Sequence, residues 1–418
     1  MDLTIAIFIL VYLALAVGHL PGLRVDRTGS AVVGAMILIA TGQISPAAAW
    51  AAVDYKTIGL LFGLLVISAS FVVAGFYDWV AQRIGKLNVG PKQLLAIVIV
   101  VAGALAALLN KDVIAVAMTP IFCTVCLQRR LNPLPFLLAF CFAANFASAA
   151  TLTGSPQNMI LAQTLDLSFM EFVRAAAPPA LLGLPLIWVV LVLCYHGRWQ
   201  LAESGSAPSA AAMPTPSLQP PVPLALGETI KVGCVATAVI AAFIFTDWPH
   251  MLVALAGASC LLISRRYATT NLLHHVDGDL LLLLFGLFIV NAAFTATGLP
   301  EQLLAYLRGI GFDLQSPLPM LAVMAVISNI VGNNPAIMLV APFIGGTDQP
   351  EALGAAIALG TGLSSSAVIF GSLVGIVVAE ECRKRDIIIT AGEFARAGVP
   401  TSILALAMAA VWIAYISN

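Results

Sequence analysis

The chain carries the same hydrophobic unit twice. Residues 53–86 read VDYKTIGLLFGLLVISASFVVAGFYDWVAQRIGK, and residues 276–309 read VDGDLLLLLFGLFIVNAAFTATGLPEQLLAYLRG. Without a gap, Val53-Asp54 falls on Val276-Asp277, Phe62-Gly63 on Phe285-Gly286 and Gly75 on Gly298. Further on, AATLTGSPQNMILAQ (149–163) aligns with SAVIFGSLVGIVVAE (366–380), which sets Gly154-Ser155 on Gly371-Ser372. A repeated apolar unit whose helices are interrupted at matching positions is the pattern of a secondary transporter.

The medium follows from the side chains. Apolar residues make up 61% of the chain and charged residues 9%, against about 25% charge in a soluble domain. This is the composition of a polytopic membrane protein whose first partner is the lipid bilayer. A net charge of −1 leaves no basic face to neutralise phosphates, so a nucleic-acid partner is not expected. The stretch 3–20 lacks a basic leader and a small-residue cleavage site, and reads as a retained span. No H-E-x-x-H, phosphate loop or nucleophile elbow occurs, so neither an enzyme nor an ATP-driven pump is indicated. The seven cysteines are scattered through apolar stretches. Cys123 and Cys126 form a C-x-x-C without a nearby His or second ligand pair, and read as packing residues. No metal site and no cofactor are expected.

Apolar segments of about 20 residues lie at 3–20, 30–45, 57–76, 134–165, 175–196, 227–246, 249–264, 280–298, 351–381 and 394–416. Two further stretches, 93–126 and 316–343, break midway and read as re-entrant hairpins. Each half then has an odd number of crossings, which inverts the second copy. The expected fold is all-α and integral to the membrane: two inverted repeats of five transmembrane helices plus one re-entrant hairpin each. Repeat 1 occupies 1–200 and repeat 2 occupies 225–418. The Pro/Ser/Ala-rich 201–224 between them is too poor in apolar surface to fold and reads as a cytoplasmic linker. Fifteen Lys and Arg, Arg24 and Arg265 among them, fall on one face; only Lys56, Arg174 and Arg308 fall on the other. The positive-inside rule makes the richer face cytoplasmic and both termini external, or periplasmic, in an inner (plasma) membrane. Segment 77–92 reads as an interfacial amphipathic helix turning Trp79, Val80, Ile84 and Leu87 to lipid, with 300–309 as its counterpart.

Four polar stretches interrupt the apolar runs. Backbone that is not helical survives at membrane depth only where it is buried or lines a cavity, so four breaks predict one central polar site. The first break is Asn110-Lys111-Asp112, at the tip of hairpin 93–126. A charge at that depth costs roughly 2.5–3.5 kcal/mol and is by default functional. The second is Thr151–Asn158, where Gly154 and Pro156 break the helix and free N–H groups form an anion site at the new helix start. Thr153, Ser155 and Asn158 add neutral donors and acceptors there. The third is Ser328-Asn329 through Asn333-Asn334, at the tip of hairpin 316–343. The fourth runs from Thr361 through Ser365 and Ser366 to Gly371-Ser372, where small residues serve close helix packing equally well.

NKDVIAVAMTPIF (110–122), TLTGSPQNMIL (151–161), SNIVGNNPAIMLVAPF (328–343) and SSAVIFGSLVGIVVAE (365–380) resemble the ion-transporter superfamily. That group holds arsenite-efflux permeases, D-type sodium/proton antiporters, citrate transporters and divalent-anion symporters. The resemblance covers nearly the whole chain. It implies inverted repeats and a substrate held between two hairpin tips and two broken helices. The symporters carry Ser-Asn-Thr at both tips; here the second tip has Ser328-Asn329-Ile330 and the first keeps only Asn110, which leaves sodium-coupled dicarboxylate uptake without its ligands. Asn110 followed by Asp112 is closer to the arsenite, citrate and antiporter branches, with Lys111 as a departure. The expected function is therefore secondary transport of a small anion or oxyanion, with H+ or Na+ as the coupling ion. The alternatives are a sodium/proton antiporter and a membrane scaffold or sensor that no longer transports. Substrate identity, direction of transport and whether the chain forms a homodimer stay open.

Overall fold

A computed structural model describes residues 3–19, 25–200, 222–264, 266–385 and 387–417. Arg24, Arg265, Asn418 and linker residues 201–221 lie outside the described residues. The first half holds α1 (Leu3–Val17), α2 (Arg27–Ala40), α3 (Pro46–Ala52), α4 (Tyr55–Val73), α5 (Phe76–Gly85), α6 (Pro91–Leu108), α7 (Lys111–Gln128), α8 (Pro133–Ser148), α9 (Pro156–Leu165) and α10 (Phe169–Cys194). The second half follows in the same order: α11 (Leu226–Phe245), α12 (His250–Leu262), α13 (Thr269–Leu273), α14 (Gly278–Thr295), α15 (Leu299–Gly309), α16 (Pro317–Val331), α17 (Asn333–Ile344), α18 (Pro350–Ser364), α19 (Leu373–Arg383) and α20 (Ala391–Ile416). Among the described residues there is no strand, and seven helices are long and apolar enough to cross a membrane. The protein is a multi-pass, all-helical membrane protein.

Equivalent residues start and stop equivalent helices. Asp54 accepts a hydrogen bond from the N–H of Lys56 at the start of α4, and Asp277 accepts one from Leu280 at the start of α14; each satisfies a donor the helix cannot. Both helices end at a left-handed glycine, Gly75 (φ 74°) and Gly298 (φ 70°), which turns the chain into the short amphipathic helices α5 and α15. Trp79 on α5 and Leu87 just beyond it are exposed as expected, but Val80 is half-buried and Ile84 is buried. The reason lies in the packing of α5 on α7: Gly85 sits so close that an added Cβ would meet Val125 at 2.7 Å, and Ile84 turns inward with it.

The halves exchange partners. Helix α4 packs on α12 and α14 on α2; α7 packs on α19 and α17 on α9; α8 meets α19 and α18 meets α9. Glycines permit the closest crossings. A Cβ on Gly63 would lie 2.7 Å from the backbone of Ala254, and one on Gly286 would lie 2.7 Å from that of Ala31. Such small-residue approaches give membrane helices their dispersion contacts where lipid supplies no hydrophobic drive. Each copy thus completes the other. The chain returning from the linker docks on the first half: Val222 N–H donates to Asp78 Oδ2 at 2.8 Å and Ala225 N–H to Ala74 O at 2.9 Å.

Candidate functional site

The polar stretches meet at the breaks between α6 and α7, α8 and α9, α16 and α17, and α18 and α19. Asn110 caps α7, its Oδ1 accepting from Asp112 N–H (2.9 Å) and Val113 N–H (3.3 Å), while its own N–H donates to Ser68 Oγ on α4 at 3.1 Å. Lys111 N–H donates to Gly154 O at 3.2 Å, and Thr153 Oγ1 donates to Ala107 O at 3.1 Å. The first tip is therefore sewn to the first broken helix. Gly154 fills the seam, because an added Cβ would fall 2.6 Å from both Ala106 O and Ser148 O.

The second tip repeats this with different chemistry. Ser328 Oγ and Ser364 Oγ share a hydrogen bond at 3.2 Å, and Ser365 Oγ donates to Asn333 Oδ1 at 3.0 Å. Asn329 Oδ1 abuts Gly371, where a Cβ would collide with it. Ile330 is 55% exposed and points away from this layer. Within this layer two bonds join the halves: Asn145 Nδ2 on α8 donates to Ser372 Oγ at the start of α19, and Gln157 Nε2 on α9 donates to Thr361 Oγ1 on α18, each at 3.0 Å. All four breaks belong to one hydrogen-bonded layer.

That layer holds an excess of unused polar atoms. Fourteen buried side-chain N or O atoms lack a partner among the described residues; nine are here, on Lys111, Asp112, Asn145, Ser155, Gln157, Asn158, Asn329, Asn334 and Ser366. Buried polar groups are normally paired, so this concentration marks the place where a ligand or water would complete them. For two of them the amide orientation is fixed. Asn158 Nδ2 donates to Ser148 O (2.8 Å) and Thr151 O (2.7 Å), and Asn329 Nδ2 donates to Ala325 O (2.8 Å). A carbonyl only accepts, so each Oδ1 is left as a free acceptor. Lys111 is 2% exposed and its Nζ has no partner.

Little open space adjoins the tips. A void of about 10 Å³ lined by Ser68, Asn110 and Thr153 is the size of a single water probe. The larger cavity, about 720 Å³, opens between the starts of α4 and α10, the end of α9 and the α11–α12 turn, and is lined by Lys56, Gln163, Asp166, Ser168, Trp248 and His250. Helix α9 links the two places. Its ten residues span about 15 Å from Ser155 in the polar layer to Asp166 in the cleft.

Residues 8–360 match the model of a family described as citrate transporter. The chain belongs to the citrate transporter family. It is 27% identical over 411 residues to an uncharacterized transporter of Mycobacterium tuberculosis, covering 94% of this chain and 95% of that one. The silicon efflux transporter LSI3 of Oryza sativa subsp. japonica is 31% identical over 186 residues, covering 44% of this chain and 38% of that one. Among solved structures, the YdaH transporter of Alcanivorax borkumensis shares the fold, with a TM-score of 0.59 at 14% identity over 99% of this chain and 97% of that one. Membership in this family makes the protein a membrane transporter and not an enzyme, in line with the superfamily resemblance of its polar motifs.

Sequence reasoning missed Asn145 as a site residue, along with Asn291. Asn291 lies 223 positions after Ser68, and the two do equivalent work. Ser68 ties the first tip, while Asn291 Nδ2 donates to Met338 O on α17 and its Oδ1 accepts from Tyr12 Oη at 3.0 Å. Pro342 explains the second bond, since a proline has no N–H to give the carbonyl four residues earlier. An interior Asn flanked by apolar residues at the position equivalent to a Ser in the other copy was the available signal.

Proposed function

We propose that this protein is a secondary active transporter of a small anion or oxyanion, coupled to protons. The substrate is held between the tips at Asn110-Lys111-Asp112 and Ser328-Asn329 and the broken segments at Thr153-Gly154-Ser155, Asn158 and Ser365-Ser366, with Asn333 and Asn334 beside them. One observation carries this reading: the partnerless side-chain nitrogen of Lys111, buried in a layer rich in unpaired polar atoms. A buried charge without a partner is costly, and a substrate anion supplies the partner. The starts of α9 and α19 bring backbone N–H groups to the same layer, which favours negative charge. Asp112 is the proton carrier on this reading. The cleft at the end of α9 is the mouth of the access path.

The two repeats are inverted in the membrane, the α6–α7 and α16–α17 pairs are re-entrant, the 201–224 linker is cytoplasmic and both termini are external. Reporter fusions after Trp199 and at Asn418 should report opposite compartments; a cytoplasmic C-terminus would end this topology. Support for an inorganic substrate comes from the rice relative, a silicon efflux transporter, and support for an organic one from the family description. The free oxygens of Asp112, Asn158 and Asn329 favour a second reading, sodium/proton antiport, in which they hold sodium and Lys111 competes with it. Proteoliposomes separate the two. Anion uptake driven by a pH gradient without sodium supports the first; sodium flux driven by the same gradient without any anion supports the second.

A further inference from the structure

Two interfaces that the duplication makes equivalent differ at one contact. Helix α7 packs on α19 as α17 packs on α9. Counted from their first residues, Lys111 and Asn333, Pro120 of α7 falls on Pro342 of α17, and Cys123 falls on Gly345. The alignment of 149–163 with 366–380, carried two residues further, sets Leu165 on Cys382. One crossing therefore holds a thiol from each half, and the aligned positions of the other hold glycine and leucine. The two sulfurs, Cys123 Sγ and Cys382 Sγ, lie 3.7 Å apart. Packing alone does not call for sulfur here, because the equivalent crossing forms without it.

The pair lies away from the polar layer, near the ends of both helices. Cys123 follows Lys111 by twelve residues and Cys382 follows Ser372 by ten, about 18 and 15 Å of helix. Both thiols are fully buried, yet each is within one turn of open surface. Leu127, four residues after Cys123, is exposed, and so is Arg383 beside Cys382. Arg385 N–H and Ile387 N–H both donate to Cys382 O, at 2.9 and 3.0 Å, so Cys382 sits in the turn that ends α19. A bonded pair of sulfurs is about 2.05 Å apart, which leaves about 1.7 Å to close from the 3.7 Å contact. Pro120, three residues before Cys123, interrupts the hydrogen-bond ladder of α7 and lets its last turns bend.

We propose that Cys123 and Cys382 are a peroxide-sensitive thiol pair, whose oxidation to a disulfide staples the two halves together and arrests transport. On the topology proposed above, the pair lies near the cytoplasmic face, where thiols are kept reduced and disulfides are transient and redox-sensing. Hydrogen peroxide is the oxidant. One thiolate attacks a peroxide oxygen: an S–O bond forms, the O–O bond breaks, and the departing hydroxide takes the thiol's proton as water. The second thiolate attacks the sulfenic sulfur: the S–S bond forms, the S–O bond breaks, and a second water leaves with the other proton. Two thiols thus give up two electrons, and one peroxide becomes two waters. Helix α7 leads back to the first tip and α19 to Ser372, so the bond fixes one side of the polar layer to the other. The arrest rests on the transport reading; the bond does not.

The test uses the full chain, with a specific protease site placed in the 201–221 linker, in membranes treated with hydrogen peroxide. Remaining thiols are blocked, the linker is cut, and the halves are run on a denaturing gel without reductant. Oxidised wild type should run as one band that dithiothreitol parts into two. Cys123→Ser and Cys382→Ser should each part without reductant, and Cys126→Ser should stay joined. Mass spectrometry of the wild type should find Cys123 and Cys382 in one cross-linked peptide, a readout that needs no variant. Halves that separate in oxidised wild type, or stay joined in either of the first two variants, overturn the pair. In proteoliposomes, peroxide should remove the wild-type flux of anion or sodium in proportion to the cross-linked fraction. Dithiothreitol should restore it, and Cys123→Ser and Cys382→Ser should keep theirs under peroxide. Full flux in cross-linked wild type overturns the arrest. A wild type with neither flux refutes the transport reading and the arrest with it, and the gel still decides the bond.

Discussion

Asn291 can be tested against the proline it serves. Met338 O has lost its helical donor to Pro342, and Asn291 Nδ2 replaces that donor while Asn291 Oδ1 receives the Tyr12 hydroxyl. Asn291→Leu keeps the bulk and orphans both groups. Side-chain hydrogen bonds measured within membrane proteins average about 0.6 kcal/mol and reach about 1.7, so losing two should destabilise by roughly 1–3 kcal/mol. Pro342→Ala gives Met338 O a backbone N–H of its own. In that background Asn291→Leu orphans only the Tyr12 hydroxyl, and should be roughly 1 kcal/mol milder. The assay is a double-mutant cycle of reversible unfolding in mixed dodecylmaltoside–SDS micelles, followed by tryptophan fluorescence. The coupling must be favourable to the double variant. Strict additivity, or a double variant worse than the sum, would refute the assignment of Asn291 as the donor that replaces the proline's missing N–H.

Three further expectations follow from the same geometry. Gly154→Ala forces a Cβ to within 2.6 Å of two backbone carbonyls, an overpacking of about 1–3 kcal/mol that moves the first tip off the broken helix; transport per folded molecule should fall at least tenfold, and unchanged flux would show that the seam is not part of the cycle. Gly75→Ala and Gly298→Ala share the left-handed strain of about 1–2 kcal/mol, but only Gly75 faces the docked linker end, with Val222 O 2.7 Å and Pro223 O 2.9 Å from the new Cβ; its melting point should drop further, and equal drops would deny the docking. Asp112→Asn should insert and fold yet lose pH-driven uptake, and undiminished pH-driven uptake in proteoliposomes would remove this carboxylate from coupling.

The breaks were legible in the sequence because nothing apolar explains them. Gly154 and Pro156 inside one hydrophobic run, or three Asn with a Gly and a Pro inside another, have no role in lipid except where backbone is buried against protein. The same logic located the tips, and the gapless matches of Asp54 to Asp277 and Gly75 to Gly298 paired the two copies at residues that the structure shows starting and ending equivalent helices. What the sequence hid lies within regular helices. Asn145 and Asn291 disturb no periodicity, and their importance comes from partners 227 and 279 positions away, which only tertiary packing brings together. Ile84 was misjudged for a related reason. Its place on an amphipathic face suits lipid, and the glycine beside it, which lets α5 press onto α7, carries no sign of the neighbour it will meet.

Duplication explains why the site is shared, and divergence explains why it is useful. Two identical halves exchanging partners would place the same tip chemistry twice around the crossing of α8 and α18, each with a side-chain bond like that of Ser365 to Asn333. The first tip carries Lys111 instead, whose Nζ has no partner among the described residues, while Asn145 reaches the other half at Ser372. On the anion-transport reading proposed above, the energetic cost of that unpaired charge is what a bound anion would relieve. Relief of this kind differs between empty and loaded states, and only such a difference can bias one conformation over another. On that reading the asymmetry at Lys111, more than the symmetry around it, is the feature that would link binding to movement.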